Sequence, residues 1–402
     1  MRMRVVVTGV GAVSALGLGV EALWQGARDG QSGVKPIEFS KGDPLRIKCA
    51  AHFPGFDATN TIGRNVVGMT DRFAALALVA AEEACKQAGI APGEAGERCG
   101  VIIGSGIGGV CTLEDGFHAF YVSKTRVDPM SIPKVMPNAA ASHISMRYGA
   151  KGPSFCVSSA CSSAAQAIGL GLFLIRAGLI DRAIVGGAEA LLSPGVMRSW
   201  EMLRVLTPTL SRPFSQSRDG MVLGEGAGML VIETLERAEK RGVPIIAELA
   251  GYGTTSDAGD LLRPDPTGAR RAMELAITDA GLQPRDIGYV NAHGTATVLN
   301  DIAETEALKL VFGSALKQTA VSSTKPVHGH TLGAAGAIEL VISIRALCEQ
   351  TAPPTINWLG PDPKCDLDPV PNHSRRIEAK AVLSNSFAFG GINAALVVQR
   401  LV

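Results

Sequence analysis

The sequence predicts an α/β fold with covered sheets, and three observations lead there. Short β-branched runs alternate with long Ala-rich segments along the chain. Apolar residues make up 46% of the sequence but aromatics only 5%, so the core is built from Ala, Val, Leu and Ile; 47 glycines suit close packing of helix on sheet. The helical patterns end at glycines placed to stop them.

Taken in order, "RVVVTG" around Val6 reads as a buried opening strand and "DRFAALALVAAEEACKQAG" as a helix. "GVIIGSG" near Ile102 and "RAIVGGAEA" near Val185 are further strands. Between them, "CSSAAQAIGLGLFLIRAG" sets Ala164, Ala165, Ile168, Leu172 and Ile175 at helical spacing, with Arg176 in the last turn and Gly178 as a cap. That helix is apolar nearly all round, which predicts a central, buried position. "GARRAMELAITDAG" is another helix, and "YVNAHGT", "TAVSSTK" and "AVLSNSF" are later strands. Several crossovers are long, so a single doubly wound sheet is not assured. "VSSACSSAAQAI" from Val157 also echoes "VSSTKPVHGHTLGAAGAI" from Val321, and "VVVTGVGAVSA" weakly echoes "IIAELAGYGTTS". Two halves of a duplicated fold, meeting near residue 243, would explain both echoes; chance matching of small residues stays open.

The 402 residues are too many for one ordinary core and predict two or three domains or one large duplicated unit. With 38 basic and 37 acidic residues, net charge implies neither a nucleic acid nor an anionic membrane as partner. Eight scattered cysteines without CxxC pairs suit a reducing cytosol. The opening "MRMRVVVTGVGAVSALG" is interrupted by Gly9 and Gly11 and reads as a first strand rather than a signal peptide, so the chain is expected intact from Met1. No run reaches the about 18 to 20 apolar residues of a membrane helix, and a soluble cytoplasmic protein is expected.

Three motifs are set aside. "GSGIGG", Gly104 to Gly109, meets the G-x-G-x-x-G spacing, but no clear helix opening or acidic ribose partner follows; tight turning and close packing explain the glycines better. His328 and His330 form an HxH without a nearby carboxylate or cysteine at ligand spacing, so no metal is expected. "GQSGV" around Ser32 lacks the G-x-S-x-G elbow of a serine hydrolase.

The chemistry centres on Cys161. Placed at the start of an apolar helix, it would meet free N–H groups and the positive dipole end, which favour thiolate. Its neighbours Ser158, Ala160, Ser162 and Ser163 are small enough to admit a bulky substrate. An inert packed thiol remains the alternative at this point. Of the seven histidines, His293 follows an apolar strand in "YVNAHGTATVLND", and His330 precedes a small-residue helix in "STKPVHGHTLGAAGAIE", five residues after Lys325. A cysteine with two loop histidines makes a nucleophile and a polarising pair.

Together these segments resemble the β-ketoacyl-acyl carrier protein synthases of the elongating class, in the thiolase superfamily. "SSACSSAAQAIG", "VNAHGTATVLND", "SSTKPVHGHTLGAAGAIE" and the gate "SNSFAFGGINAAL" stand in family order, and "RPFSQSRDGMVLGEGAG" extends the match over essentially the whole chain. The resemblance implies a duplicated thiolase-like fold, layered αβαβα with two mixed five-stranded sheets around central helices. Residues 1–243 would carry the nucleophile, and residues 244–402 the histidines, lysine and gating loop. It implies Cys161 as the acylated nucleophile, His293 and His330 as the decarboxylation and condensation pair, Lys325 beside them and Phe389 as the gate. Thr295 and Thr297 would contact pantetheine, and Ile107, Trp200 and Met202 would line the acyl pocket. The oxyanion donors would be the N–H groups of Cys161 and Phe389, and Lys325 would act as an electrostatic or structural partner of Glu304.

It further implies a homodimer, acyl carrier protein as partner, and no resident cofactor, the substrates riding on the carrier's phosphopantetheine. Fatty acyl extension by two carbons is the expected reaction. A specialised ketosynthase for a polyketide or a lipid signal of the nodulation-factor type, using a dedicated carrier, shares every motif. Initiating synthases carry Asn for the second histidine; a degradative thiolase needs a second cysteine near "FAFGGIN"; a non-catalytic chain-length partner would lack Cys161. The chain departs from the elongating pattern at Ser159, Val298, Ala388 and Ile392, and around Arg64 it lacks the basic cluster expected to meet an acidic carrier. A dedicated carrier, or a contact through Arg198 and Arg204, would account for that.

Overall fold

The β-branched runs fold as strands of one long sheet in the computed structural model, which describes residues 3–39 and 45–401. Among the described residues its strands are β1 (Val5–Ser14), β2 (Cys99–Gly104), β3 (Ser154–Val157), β4 (Arg182–Glu189) and β5 (Gly226–Thr234) in the first half of the chain. In the second half they are β6 (Ala247–Ser256), β7 (Ile287–Asn291), β8 (Ala320–Ser322), β9 (Ala381–Ala388) and β10 (Ile392–Gln399). The order is β8-β7-β9-β10-β6-β1-β5-β4-β2-β3, with a two-residue strand, Gly17–Leu18, added to β1.

This order is one pattern written twice. From β1 the first half runs β5, β4, β2, β3, with two antiparallel pairings followed by two parallel ones. From β6 the second half runs β10, β9, β7, β8 with the same senses in the same sequence. The two five-stranded halves join at a short antiparallel seam, Val6 with Glu248 and Val7 with Ala247. Both sequence echoes fall on matching elements: the stronger on the ends of β3 and β8, the weaker on β1 and β6.

Among the helices of the described residues are α1 (Arg72–Gln87), α2 (Ser163–Arg176), α3 (Pro194–Met202), α4 (Pro266–Asp279), α5 (Val298–Phe312) and α6 (Ala335–Glu349). Helix α1 packs on the outer face of the first half, and α4 and α5 on that of the second. Helices α2 and α6 lie between the halves and touch strands of both, giving the αβαβα order. The caps follow the sequence signals. Asp71 accepts a hydrogen bond from Phe73 N at the start of α1, and Asp265 accepts one from Thr267 N ahead of Pro266. Past α2 and α4, Gly178 and Gly281 take the left-handed φ of 70° and 71° that a residue with a Cβ resists.

Strands covered on both faces send alternate residues into different cores. Ala183, Val185, Leu230 and Ile232 join the central cluster around α2 and α6, whereas Ile184, Met229 and Val231 face α1. In the second half Val382, Leu396 and Val398 point inward and Leu383 and Val397 outward to α4 and α5. The "GSGIGG" glycines correct one expectation: a helix, Val110–Phe117, does open directly after Gly109. Their packing role holds, since a Cβ on Gly104 would lie 2.4 Å from Ala164 N and one on Gly109 2.3 Å from Lys134 O.

Because Gly104 meets backbone that cannot rotate away, Gly104→Ala is expected to destabilise the fold by about 1–3 kcal/mol, read as a lower denaturant midpoint. An unchanged midpoint would show that α2 can move off β2 without cost.

Candidate active site

The nucleophile's seat is a backbone feature before it is a side-chain one. Between β3 and α2 the chain makes a tight turn over Ala160–Ser162, with Ala160 in left-handed φ of 50°. Its counterpart in the second half, Leu332–Ala334 ahead of α6, has Leu332 at φ 40°. The serines do more than leave room: Ser163 Oγ donates to Ala160 O at 2.7 Å, and Ser162 Oγ donates to Ile392 O at 2.7 Å. Cys161 is thereby locked, buried, at the foot of α2.

Three groups far apart in sequence converge there. His330 Nε2 lies 3.1 Å from Cys161 Sγ. The His293 ring stands edge-on to His330, centroids 5.4 Å apart, and Lys325 Nζ lies 3.3 Å from His293 Nδ1. A lysine can only donate, so Nδ1 is the acceptor and the ring proton sits on Nε2. Burial, reinforced by Lys325, holds both histidines well below the ordinary imidazole range and so neutral.

Burial also pushes the Cys161 thiol up to about 12, against the opposing pull of Lys325. This reverses the expectation of a thiolate favoured by the helix end: desolvation outweighs the field, and the resting group is a thiol with a proton acceptor beside it. Cys161, His293 and His330 each place a ligand atom within 4.8 Å of the others. The lysine 3.3 Å from His293 makes this a poor place for a cation. His328 is turned away, its Nε2 on Thr324 Oγ1 at 3.1 Å.

Two carboxylates stand behind the site, in roles the sequence reading did not assign. Lys325 pairs with Glu339 on α6, Nζ to Oε1 2.5 Å, and not with Glu304. Glu304 on α5 instead accepts from His293 N at 2.8 Å and Gly294 N at 2.7 Å, fixing the backbone that carries the histidine. Glu339 left a signal in the sequence, as the lone charge in the first ten residues of α6, "AGAIELVISI".

A cavity of about 320 Å³ opens onto these groups. Thr295 and Thr297 line it with their hydroxyls 2.9 Å apart, as do Trp200 and Phe389, whose rings stack at 6.1 Å and 24°. Phe387, unnamed in the sequence reading, packs its ring on His293. Ile107 and Met202 are not brought in: both are exposed, Met202 at 66%, and neither lines this cavity. At the mouth stand Arg204 and Arg263, whereas Arg198 is engaged by Glu201.

A buried thiol facing two neutral histidines on a duplicated αβαβα frame defines an enzyme of acyl-thioester chemistry, of the thiolase-like condensing class. Comparison narrows the class. Residues 2–238 match the β-ketoacyl synthase N-terminal domain and residues 246–358 its C-terminal domain. Nodulation protein E of Rhizobium sp. (strain N33) is 42% identical over the full length of both chains. The 3-oxoacyl-[acyl-carrier-protein] synthase 2 of Staphylococcus aureus (strain MRSA252) is 41% identical, covering 99% of this chain and 98% of its own. Among solved structures, a β-ketoacyl synthase from Burkholderia phymatum STM815 superposes with a TM-score of 0.92 at 37% identity over the whole of both chains. A type II polyketide ketosynthase in complex with its acyl-carrier protein gives 0.90 at 31%, again over the whole of both chains. The chain belongs to the β-ketoacyl synthase family, whose members are acyltransferases that perform condensation.

With Cys161 a resting thiol, its alkylation by iodoacetamide is expected to rise about tenfold per pH unit from about pH 6 to 9. A plateau near neutrality would instead identify a preformed thiolate–imidazolium pair.

Proposed function

We propose that Cys161 takes an acyl group from a carrier thioester, that malonyl carrier then loses carbon dioxide in the same cavity, and that the resulting enolate attacks acyl-Cys161 to extend the chain by two carbons. The observation that carries this reading is the 3.1 Å contact between His330 Nε2 and Cys161 Sγ, with neutral His293 beside it. In the first step the sulphur attacks the thioester carbonyl while His330 accepts the thiol proton, and the carrier thiol leaves with a proton returned to it. In the second, the malonyl C–C bond breaks and its electrons move into an enolate. The Nε2–H of His293 hydrogen-bonds the enolate oxygen without protonating the carbon that must act as nucleophile. In the third, that carbon displaces Cys161, which leaves as thiolate and takes up a proton from solvent, its original one having left with the carrier thiol. Lys325, held by Glu339, keeps His293 in the tautomer this requires.

The substrates would arrive on an acyl carrier's phosphopantetheine, running past Thr295 and Thr297 and the Trp200–Phe389 stack. Arg204 and Arg263 at the mouth suit an acidic carrier. No step above calls for a resident cofactor. We read the chain as halves 1–243 and 244–402, and as a homodimer. The support is an exposed apolar surface, Phe117, Phe120, Tyr121, Val122 and Ile132, each more than half exposed, that a second copy would cover. Among the described residues no helix is long and apolar enough to cross a membrane, which agrees with a cytoplasmic site of action. Fatty acyl elongation is the reading favoured here. The 42% identity to a nodulation protein supports, as a second reading, a specialised acyl chain on a dedicated carrier.

Cys161→Ser is expected to abolish acyl-enzyme formation by intact mass, and His293→Ala to stop release of carbon dioxide from malonyl carrier. Normal acylation of the first, or undiminished decarboxylation by the second, would remove the role assigned to that residue. Condensation assayed across acyl lengths, with a housekeeping carrier against a dedicated one, separates the two pathway readings. Sedimentation is expected to return twice the 41.7 kDa chain mass.

A further inference from the structure

The duplication gives the active site a mate, and the mate is occupied by a side chain. In the first half Gly104 pairs with Val157 and Gly187; in the second Asn291 pairs with Ser322 and Ser384 in the same places. Two residues on, Gly106 is therefore the counterpart of His293. The matched turns ahead of α2 and α6 likewise make Gly333 the counterpart of Cys161. Where the active site holds an imidazole and a thiol, the mate holds two glycines and, between them, the carboxylate of Glu189 from the end of β4.

Glu189 is fully buried, and among the described residues no ion pair reaches it. Four donors do. Its Oε2 accepts from Gly106 N at 2.6 Å and Gly333 N at 3.0 Å; its Oε1 accepts from Ser105 Oγ at 3.1 Å and Ile107 N at 3.3 Å. A Cβ on Gly106 or Gly333 would lie only 2.9 or 2.5 Å from Oε2, so both positions are shaped for this carboxylate. The loop N–H groups that a nucleotide phosphate would need after "GSGIGG" are thereby already used.

These bonds cross between halves. Ser105, Gly106 and Ile107 belong to the first half, and Gly333 to the second, three residues after His330. On its other side His330 is held by the backbone, His330 N to Val222 O at 2.7 Å and Gly224 N to His330 O at 3.0 Å. Glu189 supplies the opposing anchor.

We propose that Glu189 is a positioning residue for condensation: by binding the Gly333 turn to the Ser105–Ile107 loop it holds His330 Nε2 at bonding distance from Cys161 Sγ. The proposal rests on Cys161 being the acylated nucleophile. Glu189→Gln keeps the shape but sets an NH₂ against N–H or O–H donors whichever way the amide turns. Rapid-quench acylation by an acyl carrier, read by intact mass beside the thermal midpoint, separates positioning from mere support. Loss of support alone lowers the fraction of chains acylated and leaves the rate of the rest unchanged. Positioning lowers the rate about tenfold or more at an unchanged fraction, with KM for the acyl carrier within about twofold.

A Glu189→Gln rate within about twofold of the wild type overturns the proposal. If that variant does not fold, Ser105→Ala, which removes one donor, is expected to slow acylation about two- to fivefold, and an unchanged rate overturns the proposal equally. Wild type that is not acylated on Cys161 brings down the nucleophile assignment and this proposal with it. Wild-type acylation with an unchanged variant rate removes only the role of Glu189.

Discussion

Everything in the site depends on how closely α2 and α6 approach at the seam between the halves. A Cβ on Gly336 would stand 3.0 Å from Ala165 N and Cβ, and one on Gly104 would strike the backbone of Ala164. Contact at that range is backbone against backbone and tolerates only Gly, Ala and Ser. It is also what sets a thiol at the start of one helix against an imidazole ahead of the other. The run of small residues around Cys161 is thus first a packing requirement and second an opening for substrate. Ser162 spends its hydroxyl on the backbone of the other half, and Ser163 on that of its own turn.

Burial then decides the electrostatics. Cys161, His293, His330, Lys325 and Glu339 are each at most 5% exposed, so every charge among them has to be matched within the cluster. Lys325 and Glu339 match each other, which leaves the histidines neutral and the cysteine protonated. For condensation that is a useful state: a neutral Nε2–H stabilises an enolate oxygen yet is a poor acid toward its carbon. The same burial that makes the thiol a weak acid removes water that would compete for the acyl-enzyme and the enolate.

Much of this was legible in the linear chain, and what was not has specific causes. Strands β1, β2 and β4 announce themselves by β-branched runs, and the helix ends by glycines, because those signals are local. The partner of Lys325 was misread as Glu304, since nothing local shows that α6 folds back over the lysine while α5 turns its carboxylate to the His293 backbone. Ile107 was expected to line the acyl pocket; in the folded chain its backbone is held by Glu189 and its side chain is exposed. Glu189 itself ends an apolar strand and carries no motif, so its four donors appear only when two distant glycine turns meet.

By itself the sequence determined the α/β class, the paired echoes, the order of cysteine, histidine, lysine, histidine and gate, and through them the family chemistry. Each is written in composition, period or a short motif. The tertiary structure alone decided which groups touch, which carboxylate serves the lysine, that Cys161 rests as a thiol, and that the mate of the active site is filled by Glu189. The reason is physical: propensity and spacing act within a few residues, whereas desolvation and hydrogen-bond partnership are set by neighbours such as His330, 169 positions from Cys161, and Ile392, 230 positions from Ser162.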